Sequence, residues 1–159
     1  MAQAELVVRS QMVPLEGMQL VMPTTCIAEI VSYQAPEPVA DAPEWLLGMM
    51  DWRGLRIPLI SFEAANGAAA AEASKRSRIA VLNGLNGDPE LPFYGLLVQG
   101  IPRLMVLDET AISAIAEAGE LPPLAIEQAQ VQEQDVLIPD QDKLEAMLKA
   151  QGLSVAGSA

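Results

Sequence analysis

Apolar positions along this chain come in short runs broken by proline, glycine and acidic residues, and few of those runs hold a 3.6-residue period. Such punctuation predicts a mainly β protein. Leu6 to Val13 and Met18 to Met22 flank Pro14-Leu15-Glu16-Gly17, whose Pro and Gly mark a turn, so the first two strands read as a hairpin. After Pro23, the run from Thr24 to Tyr33 is rich in β-branched residues and reads as a strand with Glu29 at its middle. A carboxylate among Ile27, Ile30 and Val31 ordinarily sits on the solvated face of a half-buried strand.

Trp45 to Met50 and Leu55 to Phe62 are two apolar runs around Asp51-Trp52-Arg53-Gly54, and this is the stretch around which the chain is organised. Gly54 supplies the positive φ that a tight connection needs, while Arg53 places a permanently charged fork of donors between hydrophobic strands. A charge there faces either water or a partner. Pro58 inside the second run predicts an edge position or a bulge. Ahead of the hairpin, residues 34–44 carry Pro36, Pro38 and Pro43 among small and acidic residues, the composition of a stiff connector.

Beyond it, Glu63 to Ser77 is dominated by Ala and reads as a loop or one short helix, ending in the basic cluster Lys75, Arg76 and Arg78. Ile79 to Leu82 and Phe93 to Gln99 form a further hairpin across the turn-rich segment 83–89. Leu104 to Leu107 is a short strand, Asp108 to Glu117 a brief helix or irregular loop, and Leu121-Pro122-Pro123-Leu124 a rigid turn. Ile126 to Val131 and Val136 to Ile138 supply the last strands. Asp140 then caps a helix to Ala150 with Leu144, Met147 and Leu148 on one face, and Gly152 to Ala159 reads as a frayed tail.

Composition narrows the function. Hydrophobic residues make up 51% of the 159 but aromatics only 4%, so the core is built of Leu, Ile, Val, Met and Ala. A net charge of −12 argues against nucleic acid as a partner, since phosphate binding needs a basic footprint. Mean hydropathy is +0.25, yet no run reaches the roughly 18 apolar residues of a membrane span, so no direct membrane insertion is expected. The first residues lack a secretory pattern, which places the protein in the cytoplasm. Cys26 stands alone and reads as a small buried hydrophobe.

Histidine is absent, which removes Ser-His-Asp and Cys-His catalysis and most zinc and iron sites. No phosphate-cradling glycine motif is present, and the carboxylate pairs Asp88 with Glu90 and Asp140 with Asp142 sit in turn-like or cap-like contexts. The expectation is a binding module, without catalytic residues, cofactor or metal.

Three segments carry a resemblance: Met-Pro-Thr-Thr-Cys-Ile-Ala-Glu-Ile-Val at 22–31, Ala-Pro-Glu-Trp-Leu-Leu-Gly-Met-Met-Asp-Trp-Arg-Gly-Leu-Arg-Ile-Pro-Leu-Ile at 42–60, and Tyr-Gly-Leu-Leu-Val at 94–98. With Val136-Leu137-Ile138-Pro139-Asp140 and its following helix, this series resembles the CheW-like chemotaxis coupling-protein family over residues 5–150, leaving 151–159 as a flexible tail. The resemblance implies two small, intertwined five-stranded SH3-like barrels sharing a hydrophobic seam and closed by a short C-terminal helix. It implies a non-enzymatic adaptor joining the cytoplasmic tips of methyl-accepting chemoreceptors to the regulatory domain of a CheA-type histidine kinase. It also assigns partner-binding roles to Ile27, Glu29, Gly48, Arg53 and Gly54.

This chain departs from the family pattern in having Asp51, not Asn, two residues before Arg53, with Trp52 between them. A carboxylate there is placed to pair with Arg53 and shorten its reach. The segment Ser61-Phe62-Glu63-Ala64-Ala65 is also less polar than the family's Asp-Leu pair with further charges. These departures resemble a divergent coupling protein of a type IV pilus, twitching-motility system. The alternative class is a stand-alone sensor that binds a metabolite in an apolar cavity between the two sub-domains.

Overall fold

The structure, a computed structural model, describes residues 8–67, 72–84, 91–107, 112–114, 125–131 and 134–151. Strands β1 (Val8–Leu15) and β2 (Met18–Pro23) form the first hairpin, with a turn at Glu16-Gly17 that is tighter than the sequence implies. Pro14 lies in the strand opposite Gln19, and its carbonyl accepts from the Gln99 N–H at 2.9 Å. Thr24–Cys26 is one 3-10 turn, not strand, and β3 (Ile27–Ser32) starts only after it. That turn carries the chain from one sheet to the other.

The second sheet is then completed without interruption. Strands β4 (Leu46–Trp52) and β5 (Leu55–Ile60) form the central hairpin, a short helix α1 (Phe62–Ala65) follows, and β6 (Arg78–Asn83) pairs with β7 (Phe93–Val98). Ser61 caps α1 by accepting from the Ala64 N–H. The strand order is β3-β6-β7-β5-β4, antiparallel except at β5–β7, where Leu59 lies beside Gly95 in parallel.

From Val98 the chain returns to the first sheet with β8 (Arg103–Leu107), β9 (Ile112–Ala114), β10 (Ala125–Val131) and β11 (Gln134–Pro139). The order there is β8-β1-β2-β11-β10-β9, with the parallel contact of Leu20 and Leu137 joining two hairpins. Against the expected five strands in each unit, this sheet has a sixth, the short β9, within the stretch for which the sequence left helix and loop open. Asp108, the segments 85–90, 115–124 and 152–159, and with them the Asp88 and Glu90 pair, the Pro122-Pro123 turn and the C-terminal tail, lie outside the described residues.

Pro58 is on neither an edge nor a bulge, because β5 lies inside the sheet between β7 and β4. Its partner Met49 exchanges both backbone hydrogen bonds with Glu37 on the outer side, so Met49 and Pro58 form a non-hydrogen-bonded pair. A residue without an N–H therefore removes nothing from the β4–β5 ladder. The bulge falls nearby on β4, between Leu46 and Gly48.

Alternation along β1 and β2 turns Val13, Leu15, Leu20 and Met22 into a core shared with Ile57, Leu59, Ile79 and Leu96 of the second sheet. Helix α2 (Gln141–Ala150) closes this core with Leu144 and Leu148, both essentially inaccessible, and Asp140 caps it by accepting from the Lys143 N–H at 3.1 Å. Two carboxylates are buried at the joints. The Glu16 N–H of the first turn donates to Glu63 at 3.0 Å, and the Tyr94 hydroxyl of β7 donates to Glu145 of α2 at 3.4 Å while accepting from Gln141 at 3.1 Å. Each links the two sheets or fixes the helix to them.

Burial lifts the Tyr94 hydroxyl well above its ordinary pKa of 10.0; the Gln141 N–H opposes this and the Glu145 carboxylate adds to it. Burial, followed by Glu145, likewise raises the Cys26 thiol above 9.0. Both protons are held more tightly in the native state than in the unfolded chain. Their contribution to stability is therefore complete below about pH 9 and is lost as pH rises through the raised values. Urea midpoints should fall on the alkaline side, and Tyr94→Phe should flatten the decline above about pH 10. An unchanged slope in Tyr94→Phe would show that other groups govern alkaline unfolding.

Candidate functional site

The β4–β5 hairpin turns in the shortest way available, with Trp52 opposite Leu55 and only Arg53 and Gly54 between them. Both loop residues have positive φ, 47° at Arg53 and 77° at Gly54, the type I′ arrangement that matches strand twist. Gly54 adopts it freely. Arg53 does so at about 1–2 kcal/mol, because its Cβ crowds the following carbonyl. Contacts at the other end of the side chain hold it there: Nη2 stands 3.3 Å from Glu29 Oε1, and the guanidinium carbon lies 5.0 Å from the centroid of the Trp52 ring.

Glu29 reaches this point from β3, whose pairing with β6 is bulged between Ile27 and Glu29. Its Oε1 also accepts the indole Nε1–H of Trp52 at 2.9 Å. Strands β3 and β4 are the two ends of the sheet and share no backbone ladder. The Glu29 carboxylate closes the curled sheet in place of one, assisted by Gln34, which donates to the Asp51 carbonyl at 3.0 Å. Trp52 is anchored from behind by Phe93, 4.8 Å between centroids and tilted by 59°.

Asp51 does not neutralise Arg53. It lies across the strand pair from Arg56 and contacts that residue at 3.6 Å, and Arg56 is paired more closely with Glu37. The hydrogen bond that Arg56 donates to Glu37, with both carboxylates nearby, raises the Arg56 guanidinium above its ordinary value. Glu29 is the counter-ion of Arg53, which is 66% exposed against 38% for Glu29.

The structure thus brings Glu29, Arg53 and Gly54 together at one tip. Ile27 lies further back on β3, half-buried against the core and opposite Leu82. Gly48 is buried further back on β4 with φ 149°, beneath Glu37. Sequence reasoning missed Trp52 as the donor to Glu29 and Phe93 as its support, although a tryptophan beside a hairpin arginine is itself a signal for cation–π packing. It also missed that Glu37 covers β4.

Other surfaces are less organised. Ile101 and Leu104 are 67% and 65% exposed on either side of Arg103. Arg78 turns its guanidinium back to the Lys75 and Ser77 carbonyls, at 3.3 and 2.9 Å, so the basic cluster is partly spent on its own turn. A half-open pocket of about 220 Å³ lies where α2 starts, between Met22, Cys26, Ile138 and Gln141. That is below the roughly 300–1,000 Å³ of ordinary ligand sites. Among the described residues, no three Cys, Asp or Glu gather as metal ligands, and no helix is long and apolar enough to cross a membrane.

Glu29 and Arg53 contribute unequally to folding. Glu29→Ala strips the hydrogen-bond acceptor from a mostly buried indole and should destabilise by about 1–3 kcal/mol, whereas Arg53→Ala removes an exposed ion pair and should stay within about 1 kcal/mol. Urea denaturation of the two variants measures the difference. Equal losses would contradict the assignment of the closing contact to Glu29 and Trp52.

No curated protein matches the sequence. The crystal structure of the scaffolding protein TtCheW from Thermoanaerobacter tengcongensis has the same fold, with a TM-score of 0.69 at 20% identity over 84% of this chain and 89% of that one. The CheW-like domain matches residues 10–148, from the middle of β1 to the last turns of α2. Such domains are non-enzymatic scaffolds of chemosensory coupling. With a match over most of its length and the two-sheet fold to go with it, the chain belongs to the CheW-like domain family.

Proposed function

We propose that this protein is an adaptor that joins the cytoplasmic tips of methyl-accepting chemoreceptors to the regulatory domain of a CheA-type histidine kinase, docking through the face around the β4–β5 tip. The observation that carries the reading is the Arg53 guanidinium, held out at a strained turn by Glu29 and Trp52 yet two-thirds exposed. A cation fixed in direction before binding loses little freedom on meeting a carboxylate, which favours a charge-assisted contact. In this reading Arg53 and Gly54 present the contact, Glu29 aims it, and Ile27 and Gly48 shape the flanking surface. In this reading the chain acts in the cytoplasm at receptor arrays, and its output is type IV pilus, twitching motility.

The test is a pull-down of the full chain with the kinase regulatory domain and receptor tips of the same cell. Arg53→Glu should remove most binding to at least one of them while leaving the unfolding free energy within about 1 kcal/mol of wild type. Unchanged affinity for every component would overturn the site. Loss of twitching in a deletion strain, with swimming intact, checks the output.

A further inference from the structure

Gly48 lies beneath a strap. Residues 34–44 cross the outer edge of β4, and Glu37 forms an isolated antiparallel bridge with Met49, N–H to carbonyl in both directions at 2.8 Å. A Cβ added at Gly48 would overlap the Glu37 carbonyl oxygen and stand 2.8 Å from its carbon and 3.0 Å from Pro36 Cβ. The backbone there has φ 149°, which L side chains rarely adopt. Arg56, on β5, fastens the strap from the side-chain end through its ion pair with Glu37. Val39 and Ala42 pack on the core beyond the bridge.

The prolines fix the outer side of the strap. Glu37 turns both its backbone groups inward to Met49, so Pro36 and Pro38 direct their nitrogens outward, where neither has a hydrogen to donate. A partner strand therefore finds β4 already occupied at Met49, and finds no donors at Pro36 or Pro38 to pair with. Docking at this face falls to side chains, not to an added strand.

We infer that Gly48 supports partner binding without touching the partner: it is a positioning residue that lets Glu37 seat on β4, and the seated strap, pinned by Arg56, completes the docking face next to Arg53. This rests on the adaptor reading above. Gly48→Ala should unseat the strap, weaken binding and leave the fold intact, because the side chain it adds points at Glu37 and not into the shared core. Arg56→Gln should act in the same direction more weakly, since it loosens the fastening without changing Gly48.

Hydrogen exchange and binding to the kinase regulatory domain and receptor tips, measured together on the full chain, separate the alternatives. In Gly48→Ala the Glu37 and Met49 amides should exchange about tenfold or more faster while Leu59, Ile79 and Leu96 stay protected. Affinity for the component that Arg53→Glu loses should fall with them. In Arg56→Gln both readouts should move together to a smaller extent. Lost binding with the Glu37 and Met49 amides still protected would mean that Gly48 touches the partner directly, and would overturn the inference. Faster exchange with full binding would overturn it too. If wild type binds neither component, it is the adaptor reading that fails, and the exchange arm alone still decides whether Gly48 seats the strap.

Discussion

An open β-sheet ends in two rows of unpaired backbone groups, and much of what is particular to this molecule is the way it disposes of them. In the second sheet the ends are β3 and β4. They curl toward each other without a shared ladder, and one carboxylate oxygen, Glu29 Oε1, spans the gap to Trp52 and Arg53. Further along β4, Glu37 covers the edge with a single bridge. The sheet is therefore closed by side chains at one point and by a crossing segment at another. Both devices lie on the hairpin that carries the exposed arginine, so the closure and the presentation of that charge are one piece of construction.

Acidic residues have a role here that composition conceals. A chain with 21 acids and 9 bases is expected to keep its carboxylates in water, and most of the sequence signal for acids is a solvated one. Glu63 and Glu145 are nonetheless among the most buried residues, at 2% and 1% exposure. Each accepts from a donor that comes from a distant part of the chain, the Glu16 amide or the Tyr94 hydroxyl. Burying a carboxylate is tolerable only with such partners, so these contacts fix how the first turn and α2 sit on the second sheet.

Strand existence was largely legible because period-two alternation and turn residues are local properties. The hairpins, the Asp140 cap and the apolar face of α2 follow from nearest neighbours in sequence. What was not legible is set by partners far along the chain. Pro58 suggests an edge to a reader who sees only its missing N–H, but the pairing of Met49 with Glu37 shows that the β4–β5 ladder has no use for that N–H. Asp51 looks like the counter-ion of Arg53 because it is close in sequence, yet the cross-strand register gives it to Arg56 and leaves Arg53 to Glu29. Glu29 and Arg53 were singled out by resemblance; that they meet is a fact of sheet curl, which no local pattern encodes.

The order of the strands also sets an order in time. Residues 27–98 hold every strand of the second sheet, in one continuous stretch, so it has all its hydrogen-bonding partners as soon as that length has left the ribosome. The first sheet does not, because β2 must wait for β11 before Leu20 can lie beside Leu137. Until then the β1–β2 hairpin has an apolar face and an open edge with nothing of its own sheet to cover them but the β8 strand. Synthesis from the N-terminus thus makes the hairpin-bearing sheet the template on which the first strands are stored, and α2, which follows β11, locks the assembly.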